Sequence, residues 1–131
     1  MKNEAEFQIK FKKWIEATPP SVSTAYELKI ERTNTFNIYQ WTQKQGHQLR
    51  SLLRVQDSCI FHKISDMSLG QKPFDCFALV RTAAFLVIHY KKEKKSIKIN
   101  PRIILDLLNK QKKGITYEEF LLLGAKEINI K

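Results

Sequence analysis

Cysteine, glycine, proline and acidic residues are all scarce in this chain of 131 residues, and each shortage removes a class of protein. Two cysteines, Cys59 and Cys76, show neither a Cys-x-x-Cys pair nor a Cys/His ligand pattern. That excludes a disulfide framework and a zinc ribbon, and buried thiols in a reducing compartment are expected. The four glycines form no phosphate-binding loop and no dinucleotide fingerprint. With no Ser/His/Asp signature either, nucleotide-dependent and serine-hydrolase chemistry are set aside. No apolar run approaches the roughly 20 residues of a membrane span. The opening Met-Lys-Asn-Glu-Ala-Glu has no signal-peptide core, so an intracellular, cytoplasmic chain with no membrane partner is expected.

What is abundant is positive charge. Lys and Arg number 23 against 13 Asp and Glu, a net charge of +10, which points to a polyanionic partner. The excess is uneven, because nine Lys or Arg face two acids between His89 and Lys113. Lys91, Lys92, Lys94, Lys95 and Arg102 are therefore candidate phosphate contacts, with Lys72 nearer the middle of the chain. A solvated lysine-rich face is the plain alternative. Few aromatic residues interleave with these cations, so stacking on single-stranded bases is not expected.

The length suits one domain, residues 1–131. Phe7, Phe11, Trp14 and Ile15 recur at helical spacing and predict a helix over Asn3 to Ala17, ended by Pro19-Pro20. Glu4 falls on the same side as that stripe. An acid at a helix start is ordinarily explained by the helix dipole, but one facing inward can also serve a metal. Ala25 to Ile30 reads as a strand, Phe36 to Ile38 as a brief extended piece, and Thr42 to Arg54 as a helix in which Gly46 suggests a close backbone approach. Strands follow at Ser58 to Ile64, Phe74 to Val80 and Ala84 to Tyr90, with Ser96 to Ile99 as a short edge strand. A helix opening on Pro101 and stopped by Gly114, and another opening on the capping box Thr116-x-x-Glu119, complete the chain. The order implies an α/β (α+β) domain, a central mixed sheet flanked by helices.

Within the first strand, Glu27 and Lys29 point one way while Tyr26, Leu28 and Ile30 point toward an apolar layer. Hydrolysis of a phosphodiester needs carboxylates that hold a divalent ion and a cation near the attacking water, so Glu-x-Lys on a strand is chemically meaningful. Asp75, at the start of an apolar strand, could join Glu27 and Lys29 if the two strands are sheet neighbours; pairing with Lys72 or Lys63 is its structural alternative. His47, His62 and His89 lack ligand spacing, and packing or hydrogen bonding is expected of each. Trp14 and Trp41 are expected in the core or an interface.

Glu27-Leu-Lys29, Phe36-Asn-Ile38 and His47-Gln48-Leu49 together resemble Holliday junction resolvases of the recombination protein U type. With His62 to Asp66 and Lys72-Pro-Phe-Asp75 added, residues 24 to 90 are similar to small phage and prophage endonuclease-like proteins of the PD-(D/E)XK superfamily. The resemblance implies a restriction-endonuclease-like fold and a Mg²⁺- or Mn²⁺-dependent endonuclease for branched or structured DNA, acting as a homodimer. It assigns metal binding to Glu27, Asp75 and Glu4, the attacking water to Lys29, and a supporting role to Gln48, with Gln45 the less favoured neighbour. In the family the aspartate precedes Glu-x-Lys; here it follows, which would make the site permuted. A catalytically silent nucleic-acid-binding or protein-interaction domain is the rival, and a basic α/β protein for structured RNA a third possibility.

Overall fold

The computed structural model describes residues 3–66 and 74–130, and their side chains outside the segment 59–80. The elements in order are α1 (Glu4–Ala17), β1 (Thr24–Glu31), β2 (Thr35–Asn37), α2 (Ile38–Asp57), β3 (Cys59–Asp66), β4 (Phe74–Arg81), β5 (Ala83–Tyr90), β6 (Lys95–Ile99), α3 (Pro101–Asn109), β7 (Gly114–Thr116), α4 (Tyr117–Leu122) and β8 (Lys126–Ile128). The class is α+β, with a mixed four-stranded sheet in the order β1-β5-β6-β8. β1 and β5 run parallel and β6 and β8 antiparallel to their neighbours. Two further pairings lie apart from this sheet, both antiparallel: the short β2 with β7, and the long β3 with β4.

Alternation along the strands divides the core into two layers. Tyr26, Leu28 and Ile30 of β1 and Val87 of β5 pack under α1 against Phe7 and Phe11. The opposite face sends Leu86, Ile88 and Tyr90 toward Trp41, Leu49 and Leu52 of α2, Ile104 of α3 and Phe120 of α4. Full burial of each such side chain contributes about 1.5–3 kcal/mol, so the α2 layer carries most of the apolar stabilisation. Glu27 and Lys29 lie on its face by the same alternation as Ala25, which packs there.

Several sequence signals act as expected. Asn3 accepts from the Glu6 N–H as the α1 cap, Pro101 opens α3, and Thr116 and Glu119 form a reciprocal capping box on α4. Gly124 follows α4 at φ +97°, a conformation that suits only glycine. Trp41 is buried in the larger core layer.

Other expectations are corrected. The helix expected from Thr42 begins at Ile38, because Asn37 caps it by accepting from the Gln40 N–H. The piece from Ser96 to Ile99 is an inner strand, since β8 pairs on its far side. Gly114 stops no helix: α3 ends at Asn109, and Gly114 lies in β7, where an added Cβ would meet the Thr35 Cγ2 at 2.6 Å. Gly46 marks no close backbone approach; its nearest neighbour would be the flexible Arg50 side chain at 3.4 Å. Instead α2 breaks beside it, with Gln45 at φ −136°, ψ 36°, as helices do where glycine weakens them.

Candidate functional site

β1 and β5 end side by side, and three other parts of the chain close over those ends. α1 precedes β1 and runs back along it, which brings the α1 N-terminus to the carboxyl end of the strand. The turn between β5 and β6 is tied there by the Lys91 N–H, which donates to the Glu31 carbonyl at 2.9 Å. The break in α2 supplies the third side. In open α/β sheets, ligands are commonly received beyond the carboxyl ends of parallel strands.

Lys29 is the centre of the arrangement. Its Nζ donates to the Gln45 Oε1 at 2.7 Å and lies 3.8 Å from the Glu27 Oε1. The Lys29 side chain is 14% exposed and that of Glu27 29%, so both charges are largely withdrawn from water. Burial raises the Glu27 carboxyl above its ordinary range despite Lys29, which lowers it; the charge of Glu4 raises it further, and His47 lowers it. Glu4 is therefore close enough for the two carboxylates to repel. Glu4, Lys29, Arg32, Gln45 and Lys91 line a hollow of about 270 Å³. A second hollow, of about 300 Å³, lies on the α2 side of Lys29 and Gln45, lined in part by Asn37, Gln40 and Lys44.

The two glutamines exchange emphasis. Gln48 turns to the core, its Oε1 accepting from the Trp41 Nε1–H at 2.9 Å, while Gln45 reaches the lysine. A continuous helix would put both near the same face; the non-helical backbone at Gln45 selects between them. The signal for this was Gly46. Arg32, just past β1, was not anticipated, and a charged residue one position beyond a strand gives no periodic signal of its own.

Asp75 lies in β4, opposite Ser65 of β3 in the backbone register. β1 has β5 as its neighbour in the sheet, so the strands of Glu27 and Asp75 are not paired with each other. The Asp75 side chain and the whole of Lys72 lie outside the described residues, as do the side chains of His62, Cys59 and Cys76. Among the described residues, no three His, Cys, Asp or Glu side chains gather as a metal-ligand set.

The basic candidates separate. Lys91, Lys92 and Lys94 occupy the turn between β5 and β6, where Lys94 takes φ 54°, and Lys91 borders the hollow. Lys95 pairs with Glu127 at 3.8 Å, and Arg102 pairs with Asp57, so these two are turned to the protein's own acids. His89 is buried, with Nδ1 2.8 Å from the Ser96 hydroxyl and its ring against Phe7, the packing role expected of it. Burial, with charges that include Lys10 and Lys91, lowers its pKa. Among the described residues, no helix is long and apolar enough to cross a membrane. Compared with protein-family models, with curated proteins and with solved structures, the chain matches none.

Proposed function

We infer that the chain is a Mg²⁺- or Mn²⁺-dependent DNA endonuclease of the resolvase-like PD-(D/E)XK type, acting on branched or structured DNA as a homodimer inside the cell that makes it. The observation that carries this is the convergence of Glu27, Lys29, Gln45 and Glu4 at the carboxyl ends of a parallel strand pair. A half-buried carboxylate that feels the charge of a second acid favours a cation, and Lys29 answers only part of the need, since it sits closer to Gln45 than to Glu27. One or two carboxylates completed by water suit Mg²⁺, so the donor set fits. Glu27 and Glu4 would hold the ion, with Asp75 as the third candidate ligand. Bound there, the ion would supply charge compensation at a phosphodiester and an acidified water.

The chain's own groups have distinct tasks. Gln45 fixes the Lys29 ammonium by accepting a hydrogen bond from one of its N–H groups, which leaves the remaining N–H groups to meet a phosphate oxygen or the entering water. Low exposure strengthens that contact relative to one in bulk water. The net charge of +10 favours DNA over acidic ligands of lower charge density through counterion release. Two protomers would allow symmetric cutting of two strands.

One observation favours the silent rival, a nucleic-acid-binding or protein-interaction domain: the strand bearing Asp75 pairs with β3 rather than β1. The two are separated by incubating the protein with a four-way DNA junction in Mg²⁺ and measuring binding in Ca²⁺. Cleavage by the native chain that disappears in Glu27→Ala and Lys29→Ala, with Ca²⁺ binding retained, supports the nuclease. Undiminished cleavage by Glu27→Ala refutes the site. Binding without cleavage by the native chain selects the rival, and Asp75→Asn decides whether that residue belongs to the site.

A further inference from the structure

A groove runs between α2 and α3. Two hollows of about 330 Å³ and about 320 Å³ make it up, and they share Tyr39 and Leu108. Its lining is largely apolar, with Leu49 and Leu53 from α2 and Leu105 and Leu108 from α3. Leu49, Leu53 and Leu108 are also tied to the larger core layer, but Tyr39 and Leu105 belong to neither layer, and Tyr39 is 52% exposed. Two large apolar side chains therefore border a concavity without serving the core. Gly46 keeps the α2 wall low, since an added Cβ would have only the Arg50 Nη1 near it, at 3.4 Å. The same contact places the Arg50 guanidinium over the groove.

The charge at the rim has one sign. Lys112 is paired with Glu119 at 3.0 Å, which leaves Arg50 and Lys113 as the cations to be answered. Both are exposed, neither takes part in an ion pair among the described residues, and no acid lines either hollow. The end of the groove is braced by backbone. The Lys113 carbonyl accepts from the Ile38 N–H at 2.9 Å, and Gln111 turns the chain ahead of it at φ 61°.

These features select the occupant. From Tyr39 to Leu53 the groove follows α2 for about 20 Å at 1.5 Å per residue, nearly four helical turns. Its walls are helices, so no strand edge is offered to an extended peptide, whereas a helix brings its own backbone hydrogen bonds. A nucleic-acid backbone would meet the two cations but gain nothing from the leucines. A second copy seated about a twofold axis would set Arg50 and Lys113 against themselves, with no acid between them. We propose that the groove docks an acidic amphipathic helix of a partner protein, whose apolar stripe packs on Leu105, Tyr39 and Gly46 and whose flanking carboxylates meet Arg50 and Lys113. None of these five residues lines the hollows around Lys29, so docking does not depend on whether the chain cuts DNA.

The test is a peptide selection. Helical peptides about 15 residues long, with leucine fixed at i, i+3, i+4 and i+7 and the other positions random, are selected on three chains: native, Tyr39→Ser/Leu105→Ser and Arg50→Glu/Lys113→Glu. The native chain should enrich Asp and Glu beside the leucines, and the selected peptides should bind it at least about tenfold more tightly than they bind either variant. The charge-reversed chain should enrich Lys and Arg instead. A reversed preference requires a folded groove, so it separates docking from loss of structure. Absence of acid enrichment on the native chain, or peptide binding that both variants retain, overturns the proposal. So does sedimentation of the native chain as a dimer that Tyr39→Ser/Leu105→Ser splits, which would give the groove to a second copy. Weaker binding of a four-way DNA junction by Arg50→Glu/Lys113→Glu, with no acid preference among the peptides, would give it to DNA and overturn the proposal as well.

Discussion

Replacing Glu27 by glutamine should make the protein more stable while removing its activity. Glu27 and Lys29 approach to 3.8 Å, an attraction of about 4 kcal/mol at an effective dielectric of 20 before desolvation is counted. The Glu27 carboxyl is nevertheless raised, first by burial and further by Glu4, so those two effects outweigh the lysine. A neutral amide of the same shape resembles the protonated acid that the fold prefers. After near-cancellation of opposing effects, the gain at neutral pH should be about 0.5–1 kcal/mol, the range usual for relief of strain at a functional site. For a chain of this size that corresponds to a rise of about 2–4 °C in Tm. The sign of the pH dependence follows from linkage. With the folded pKa above the unfolded value of 4.5, the native chain has the full benefit of a protonated Glu27 below 4.5 and loses it as pH rises through the folded pKa. Thermal unfolding followed by circular dichroism at pH 7 and near pH 4 should therefore show Glu27→Gln ahead at the higher pH and level with the native chain at the lower. A variant less stable than the native chain by more than 1 kcal/mol at pH 7 would refute the reasoning, because the Lys29 attraction would then dominate.

His89 gives the opposite pH signature. Its folded pKa lies below the ordinary 6.5, so its contribution is fully present above 6.5 and is lost as pH falls toward the folded value; urea unfolding of His89→Gln between pH 7 and 5.5 should show a shallower loss than the native chain. The two glutamines should separate function from stability: Gln45→Ala should lower cleavage about 100-fold through a misplaced Lys29, whereas Gln48→Ala should cost about 1–3 kcal/mol by stranding the Trp41 N–H. Phe7, the fully buried side chain of α1 that packs on β1 and β5, should cost about 3–5 kcal/mol in urea unfolding when cut to alanine.

Much of this fold is written in local pattern. The stripe of Phe7 and Phe11 predicts α1, the alternation of Tyr26, Leu28 and Ile30 gives both the strand and its buried face, and Thr116 with Glu119 places α4 to the residue. β7 and β8 escaped because three residues cannot display a period of two, and missing β8 turned β6 into an apparent edge. The convergence on Lys29 was half legible. Glu4, Glu27 and Lys29 announce themselves by charge on apolar faces, but the choice of Gln45 over Gln48 turns on a single non-helical residue that spacing cannot register. The pairing of β1 with β5 is a long-range choice among several apolar strands, and no local signal singles out the partner.

That ladder also sets an order of events. α1, β1 and the start of α2 are near one another in sequence, and β5, β6 and β8 form a second nearly local group; the run from Thr24–Ala83 to Glu31–Tyr90 is the longest ladder that joins them, with the β2–β7 pairing and the packing of α2 on β5 beside it. Contacts between distant parts of a chain close late, because the loop between them must first be ordered. Glu4, Lys29 and Gln45 belong to the early group, whereas Lys91 arrives with the late one. A chain emerging from the ribosome would thus carry its acid and lysine before it owned the complete hollow, and the Lys91 wall would be added only as the two halves of the sheet met.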